Sequence, residues 1–400
     1  MGRLISITIC FCLGASASAD WKEFRGQRGA SAVDTSLPIQ FGGEQNERVD
    51  WKTELPGRAV NGAIVIGDQV IATSSSGKNQ KRLHVFSLND ETGQVQWERR
   101  LWATGRTLCH PLSAMAAPTP ASDGEAIFAF FATNDLVCLS LDGDVRWIRA
   151  LSLEYPGAFD DRGLASSPCL AGDTLVVQIA CEDDSNVFGI DKQSGKTKWV
   201  LPIAKSTNWA SPCEILVNGR PMVMLQSAER LIVLDPESGD EWGSYEAEGN
   251  LIPSPAFADG LCLLPANGMT ALRLQEAESD FEVLWEEAKV AAEATSPVIA
   301  GEHFFVIRSP NLLTAARLAD GDVVWKARLE GSGFWATPLV AGEQLYVPNT
   351  DGTVHVVRLE DGEVLASNEF NTEILGSPAA SDEALYLRAT DAVIKVGGPS

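Results

Sequence analysis

The stretch "GIDKQSGKTKW" (189–199) places an Asp, a Ser-Gly pair and a Trp at fixed intervals. The arrangement returns in three other stretches: "LNDETGQVQW" (88–97), "LDPESGDEW" (234–242) and "LADGDVVW" (318–325). A catalytic site is usually unique in its chain, whereas a recurring pattern is typical of repeated architecture. In the first stretch Asp191 can bond turn amides and Gly195 suits a left-handed backbone position. The pattern therefore predicts a recurring hairpin turn.

Around these turns, short apolar strands open on a small residue followed by a proline. Seven units open in this way, at Pro118, Pro168, Pro212, Pro255, Pro297, Pro338 and Pro378. An eighth unit begins near Asn61-Gly62 and lacks the proline. Within residues 167–203 the pattern predicts four strands separated by turns. A four-stranded antiparallel unit cannot bury both of its faces alone, but radial stacking of such units buries them. The sequence therefore predicts an all-β, eight-bladed β-propeller.

A tryptophan follows most of the recurring turns by a few residues. We expect these side chains to pack between neighbouring blades and not to bind a ligand: Trp97, Trp147, Trp199, Trp242, Trp285 and Trp325.

The last unit (376–400) provides only three strands. We expect residues 49–55 to supply the fourth by pairing with 391–396, with Trp51 in the blade-tryptophan position, and so to close the ring. The predicted organisation is a leader (1–19), an N-terminal segment (20–45) and the propeller (46–397).

The first residues have the pattern of a secretory leader. Arg3 supplies a positive charge, Leu4 to Ala15 form an apolar run, and Ala17-Ser18-Ala19 is a small-residue cleavage site. We therefore expect export to the periplasm or the cell exterior, in soluble form, after cleavage near Ala19.

The net charge of the chain makes some classes of binding partner unfavourable. The formal net charge is −23, which repels phosphate backbones and anionic membrane surfaces, so we expect neither nucleic-acid binding nor membrane insertion. Six cysteines lie outside the leader: Cys109, Cys138, Cys169, Cys181, Cys213 and Cys262. This is too few for a dense disulfide framework, and we expect free thiols, with a Cys169–Cys213 bridge as the alternative.

The repeat resembles the pyrroloquinoline quinone (PQQ)-type propeller family, whose blades carry the signature A-x-D-x-x-[ST]-G-x-x-x-W. Residues 189–199 match it with Gly for Ala, residues 87–97 match it with two substitutions, and the resemblance extends over about 46–397. The segment "WKEFRG" (21–26) is similar to the start of secreted propellers of this superfamily. The resemblance implies one of two functions. Quinoprotein dehydrogenases bind PQQ and Ca²⁺, whereas other members, among them a lipoprotein of the outer-membrane β-barrel assembly machinery, are non-catalytic scaffolds.

The sequence favours the second of these functions. The resemblance implies that an alcohol-oxidising quinoprotein needs two adjacent cysteines, which this chain lacks. A tricarboxylate cofactor also needs converging cations, which are scarce here. The four histidines (His84, His110, His303 and His355) form no metal-binding pair, and no nucleophile or phosphate-binding motif is found. We expect no cofactor and no catalytic residue. A PQQ- and Ca²⁺-dependent dehydrogenase is the alternative, and a carbohydrate-active enzyme is the second.

Two long connections between blades indicate where a partner would bind. Trp97 to Pro118 and Trp147 to Pro168 each span 21 residues, against 12 or 13 for four other connections. We expect loops 102–117 and 153–166 to be neighbours on one face and to bind an envelope or secreted protein, the protein itself being a monomer. The candidate binding residues are Arg106, His110, Tyr155, Phe159, Asp160, Asp161 and Arg162. The alternative is that these loops only close the top of the central channel.

Overall fold

Strands make up almost all of the regular structure. The computed structural model describes residues 20–397 apart from Glu276 and Glu278, so the predicted leader lies outside the described residues. Within the described residues there are 33 strands, which form eight sheets. Two strands precede the first blade in the chain, β1 (Ala32–Val33) in the N-terminal segment and β2 (Val49–Glu54) just after it. The few helical turns are 3-10 helices at Gln27–Gly29 and Lys78–Gln80 and the α-helix α1 (Leu151–Glu154).

Each sheet contains one four-stranded antiparallel blade, and in seven of the eight blades the strands follow each other in chain order from the channel outward. Blades 1 and 2 are β3–β6 (Ile64–Ile66, Gln69–Ser76, Arg82–Asn89, Val95–Trp102) and β7–β10 (Ala121–Ser122, Ala126–Phe130, Asp135–Ser140, Val145–Ala150). Blades 3 and 4 are β11–β14 (Cys169–Ala171, Thr174–Ile179, Asn186–Asp191, Thr197–Pro202) and β15–β18 (Cys213–Val217, Arg220–Gln226, Arg230–Leu234, Glu241–Glu246).

The second half of the ring repeats this order. Blades 5 and 6 are β19–β22 (Ala256–Ala258, Leu261–Leu264, Met269–Gln275, Asp280–Glu287) and β23–β26 (Val298–Ala300, His303–Arg308, Leu312–Arg317, Val323–Arg328). Blade 7 is β27–β30 (Leu339–Ala341, Gln344–Pro348, Thr353–Arg358, Val364–Glu369), and β1 joins it in parallel with β27. Blade 8 is β31–β33 (Ala379–Ala380, Ala384–Arg388, Ala392–Gly397) completed by β2. The predicted eight-bladed, all-β architecture is confirmed.

The ring closes as the sequence predicts. Strand β2 pairs antiparallel with β33, with Val49 opposite Val396 and Glu54 opposite Ala392. The two middle strands of a blade are buried on both faces between neighbouring blades, as in β12, whose six residues are all buried. The outermost strand is exposed on its outer side, so β14 alternates exposed and half-buried residues. Hydrophobic burial between blades therefore holds the ring together.

The opening stretch shows how one blade is attached to the next. Asp191 accepts hydrogen bonds from the amide and hydroxyl of Ser194, and Gly195 adopts a positive φ of 69°. A side chain at Gly195 would collide with the ring of Trp147, which comes from the preceding blade. The indole of Trp147 donates to the Lys192 carbonyl at 3.0 Å. The turn is thus the surface on which the neighbouring tryptophan rests.

Five more tryptophans make this contact, each donating its indole N–H to a turn carbonyl of the next blade at 2.8 Å. They are Trp51 to Asp90, Trp97 to Leu141, Trp199 to Pro236, Trp285 to Leu318 and Trp325 to Leu359. Trp242 packs against the hydrophobic cluster formed by blades 4 and 5, but its register differs from that of the other blade tryptophans. Gly243, and not Trp242, lies opposite Val233 at the register position that Trp199 occupies opposite Gly189. The sequence shows the cause, because Trp242 follows its turn glycine by three residues and Trp199 follows its own by four.

Blade 7 has Ala366 where a blade tryptophan would stand, since it pairs with Val356 as Trp325 pairs with Ala315. The third and fourth strands of blade 8 come from opposite ends of the chain, so blade 8 offers no turn for an indole to contact. The N-terminal segment lies there instead. The Phe41 amide donates to the Asn368 side chain at 3.0 Å, and Asn368 donates to the Ile39 carbonyl at 2.9 Å.

Candidate functional site

The connections between consecutive blades differ in length in one part of the ring only. Six of them contain 9 or 10 residues between the flanking strands, whereas residues 103–120 and 151–168 contain 18 each. The two long connections lead into blades 2 and 3. One proline assignment changes, because Pro120, and not Pro118, directly precedes the first strand of blade 2 as Pro168 does in blade 3. The contrast in length remains.

The two long loops contact each other directly. The Arg106 guanidinium lies 3.6 Å from the ring centroid of Phe159 and 3.3 Å from the Asp161 carboxylate. The His110 amide donates to the Arg162 carbonyl at 3.0 Å. At an exposed site, guanidinium stacking on an aromatic ring contributes about 0.5–1 kcal/mol, which is similar to a surface ion pair. Five of the seven candidate binding residues are therefore joined by direct contacts between the loops.

The remaining two candidates, Tyr155 and Asp160, act inside the loop. Asp160 is almost fully buried and accepts from the Arg162 amide at 2.7 Å and from the Thr207 hydroxyl. The ring of Tyr155 packs edge-on against the buried Phe188 at 4.8 Å. This placement of Tyr155 supports the loop from beneath, so its replacement would damage packing as well as any contact with a partner.

Exposed apolar side chains surround these loops, and sequence patterns alone do not identify them. Trp102 is 69% exposed, Leu108 57% and Leu153 70%. The Thr104 and Ser152 hydroxyls are 2.7 Å apart, which brings the two loops together close to Trp102 and Leu153. Isolated exposed apolar residues are common, but several large ones on adjoining loops are typical of a binding surface.

A central cavity of about 320 Å³ opens beside the same loops. In every blade the cavity wall is formed by the residue four positions before the first residue of the innermost strand. These eight residues are Val60, Ala117, Ala165, Trp209, Ile252, Ala294, Trp335 and Leu375. All of them are apolar, and the wall is extended by His110, Leu112 and Arg162 from the long loops.

Below this wall lies a belt of small polar residues, one per blade. They are Gly62, Thr119, Ser167, Ser211, Ser254, Ser296, Thr337 and Ser377. From Gly62 to Thr337, the amide of each belt residue donates to the hydroxyl of the next one at 2.8–3.2 Å. The hydroxyl before each blade-opening proline thus links neighbouring blades. The belt lacks a hydroxyl at Gly62, where a β-carbon would lie only 2.9 Å from the Ser377 carbonyl.

The N-terminal segment closes the channel beneath the belt. Trp21 exchanges backbone hydrogen bonds with Val65 of blade 1, and Arg25 donates to the Pro255 carbonyl of blade 5 at 2.9 Å. The Ser31 hydroxyl then reaches the Pro338 carbonyl of blade 7. The segment therefore crosses the whole channel, and Phe24 contributes to the lining of the cavity above it.

The part of the N-terminal segment that crosses the channel carries charged side chains. Burial, and secondly the nearby Glu214 carboxylate, raise the pKa of Glu23 to about 8, against hydrogen bonds from the backbone N–H groups of Leu170 and Arg28 and the charge of Arg25. Arg28 is 3.6 Å from Glu214. Burial also lowers the pKa of Arg25. Glu23 therefore holds a proton in the folded protein at pH values where it would release it in water.

The six cysteines within residues 20–397 are free thiols. Cys169 and Cys213 stand at the starts of neighbouring inner strands, as the sequence suggests, and burial raises the pKa of both thiols, that of Cys213 to about 11. A thiol with a raised pKa is a poor nucleophile and a poor metal ligand. These cysteines pack as small apolar residues around the channel.

The described residues hold no cluster of three or more His, Cys, Asp or Glu side chains with metal-ligand geometry. Two of the buried histidines have structural partners. His84 contacts the Glu98 carboxylate at 2.7 Å, and His355 contacts the Ser367 hydroxyl at 2.9 Å. The partners of His84 belong to its own sheet, whereas His355 also contacts the carbonyl of Glu330, in the connection from blade 6, at 2.9 Å. Both rings therefore have the partners of a histidine satisfied within the fold.

The cavity does not fit a quinone with three carboxylates. Its wall is apolar in every blade, and the guanidinium among its lining residues, that of Arg162, already contacts Asp160 and Glu182 at 3.3 and 3.4 Å. Binding three carboxylates there would desolvate charges without pairing them, which costs several kcal/mol for each unpaired ion. The chemistry of the lining suits an uncharged apolar group.

Comparison with known proteins gives one family and one fold. The family model described as outer membrane protein assembly factor BamB matches residues 43–159, 157–327 and 319–396. No curated protein sequence matches the chain significantly. Among the described residues, none of the helices has the length and apolar character needed to cross a membrane.

Among solved structures, the chain is similar to BamB from Moraxella catarrhalis, with 16% identity, a TM-score of 0.63, and coverage of 87% of this chain and 96% of that chain. It is also similar to a europium-containing methanol dehydrogenase (11% identity, TM-score 0.71, coverage 92% and 89%). A third is the quinohemoprotein alcohol dehydrogenase from Comamonas testosteroni (10% identity, TM-score 0.70, coverage 96% and 82%). At such identities the likeness shows the fold alone.

Proposed function

We propose that this chain, which belongs to the family of the outer membrane protein assembly factor BamB, is a non-catalytic propeller that binds protein partners. The binding surface is formed by loops 102–117 and 153–166. The observation that carries this proposal is the concentration of extra length, exposed apolar side chains and interloop contacts at blades 1 to 3. The family name supports a role in assembling other proteins. Together with the expected leader, it supports action in the cell envelope, and we propose that the protein acts there as a monomer without a cofactor.

The likeness to two dehydrogenases favours a second candidate, a PQQ- and Ca²⁺-dependent alcohol or sugar dehydrogenase. The fold is compatible with it, since both kinds of protein share the propeller. The apolar wall and the paired state of Arg162 argue against it. No feature of the structure favours a carbohydrate-active enzyme, and we do not propose that activity.

The test replaces exposed side chains that support nothing inside the fold. We expect the variant Trp102→Ala/Leu108→Ala/Leu153→Ala to capture its partner from solubilised cell-envelope extract at least ~10-fold less well, because large apolar anchors dominate interface energies. Its melting temperature should stay within about 3 °C of the parent, since substitutions of exposed residues usually change stability little. Immobilised protein and quantitative mass spectrometry of the captured proteins provide the measurement.

A matched control lies on the outer strands of blades 6 and 7. Val323, Val324 and Val364 are 38–44% exposed there, and their replacement by Ala removes apolar surface away from the loops. This control should capture the partner as the parent does. Equal capture by the loop variant and the parent would remove the proposed surface.

A further inference from the structure

The cavity next to the binding surface has the properties of a pocket for one apolar group. Its volume lies at the low end of the range seen for ligand pockets. Phe24 lies among its lining residues, while Trp209 and Trp335 stand in its wall, and Trp335 is 41% exposed. Aromatic rings in the wall and a partly open indole leave apolar surface in contact with water, which an entering aromatic ring would cover.

The cavity is connected to the binding surface through Trp209. Its indole donates to the Gly163 carbonyl at 2.6 Å, and the Arg162 guanidinium lies over its ring at 5.8 Å. Loop 153–166 is thus fixed to the cavity wall. A partner that lies on the long loops therefore has the cavity within reach.

The rim of the cavity is acidic on the side of blade 3. Loop 153–166 and the turn 181–186 carry six acids and a single base, Arg162: Glu154, Asp160, Asp161, Glu182, Asp183 and Asp184. Three arginines, Arg106, Arg149 and Arg162, pair with four of these acids (Glu154, Asp160, Asp161 and Glu182), so the group keeps a net charge of −3. The bases of the neighbouring turn, Lys78 and Lys81, lie on the side of blade 1. Charge complementarity therefore favours a basic group above blade 3.

We propose that the cavity takes an aromatic side chain from an exposed segment of a partner protein, and that Lys or Arg residues beside it meet the acids of blade 3. This inference rests on the proposed function and names the chemistry of the partner at that surface. The aromatic ring supplies burial against Trp209 and Trp335, and the basic residues supply orientation.

The test uses short labelled peptides and fluorescence anisotropy. The probe is acetyl-Lys-Lys-Trp-Lys-Lys-amide, and its matched controls carry Ala in place of Trp, or Glu in place of every Lys. We expect saturable binding of the probe and at least ~10-fold weaker binding of both controls. Equal binding of the Trp and Ala peptides would show that only surface charge acts, and would overturn the proposal.

Variants of the protein locate the binding. Ala294→Trp fills the cavity from its wall and should abolish binding of the probe, whereas Ala319→Trp places the same side chain on an exposed turn of blade 6 and should not. If Ala294→Trp fails to fold, Trp335→Ala removes one exposed wall residue and should weaken binding ~5-fold or more. Unchanged binding by the folded cavity variant would contradict the proposal.

The capture experiment distinguishes a failure of the cavity proposal from a failure of the proposed function on which it rests. If the loop variant loses capture and Ala294→Trp keeps it, the cavity proposal is wrong and the binding surface stands. If both variants keep capture, both proposals are wrong. Loss of capture in both supports the two together.

Discussion

A chain that begins at residue 58 is expected to melt at least ~10 °C below a chain that begins at residue 20, and over a broader temperature range. The shorter chain lacks β2, so β33 is left as an open sheet edge in blade 8. It also lacks Trp51, which is buried and is one of the links from blade 8 to blade 1. Loss of a buried tryptophan alone costs roughly 3–5 kcal/mol. Thermal unfolding followed by circular dichroism provides the measurement.

A point substitution isolates the part played by the closing strand. Trp51→Ala keeps the strand and removes the interblade contact, so it should lower the melting temperature by several degrees. Lys52→Ala, whose side chain is exposed on the same strand, should leave it unchanged. Other contacts between blades 8 and 1 remain in both variants, such as the hydrogen bond from the Thr53 hydroxyl to the Gly93 carbonyl at 2.7 Å. Equal melting of the two chains of different length would show that the ring does not depend on its N-terminal strand.

The stability of the parent protein is expected to fall between about pH 4.5 and 8, and Glu23→Gln should remove a large part of this fall. The pKa of Glu23 is raised from 4.5 to about 8 by burial and by Glu214. In this window the folded state therefore holds a proton that the unfolded chain releases. Stability decreases with rising pH wherever the folded state binds more protons. At pH 8 the variant should melt ~5 °C or more above the parent.

Comparison of melting curves across that pH range decides the matter. At pH 4.5, where Glu23 is protonated in the folded state, Gln resembles the protonated acid and the two proteins should melt at similar temperatures. Glu44→Gln changes an exposed acid of the same segment and should follow the parent. If the curve of Glu23→Gln runs parallel to that of the parent, the carboxyl group is not held protonated in the channel.

Much of the fold can be predicted from the sequence because the pattern of one blade occurs several times along the chain. The turn around Asp191 and Gly195 can be compared with its copies, and the missing strand of the last unit directs attention to residues 49–55. The comparison fails where one copy changes its spacing. Trp242 comes one residue early after Gly239, so Gly243 takes its register position. Ala366 stands where a blade tryptophan would be expected. The reason is that blade 8 offers no turn for an indole to contact, and this is visible only in the assembled ring.

The candidate site is less visible in the sequence, for two physical reasons. Each cavity residue looks like an ordinary loop residue within its own blade, and the apolar wall emerges only when the eight positions from Val60 to Leu375 are aligned. The floor is built by long-range contacts, such as that between Arg25 and Pro255, which no local pattern encodes. Loop length does locate the binding surface, but it does not show that Tyr155 faces inward and that Trp102 faces solvent.

The central claim is that this propeller binds proteins and performs no quinone chemistry. Its most direct test is to titrate the purified protein with PQQ in the presence of Ca²⁺, following quinone absorbance and the reduction of an electron-accepting dye with alcohols and sugars. An apolar wall with its single guanidinium already paired should give no saturable binding and no turnover. A stoichiometric complex that oxidises an alcohol or a sugar would contradict the claim and identify the chain as a quinoprotein dehydrogenase.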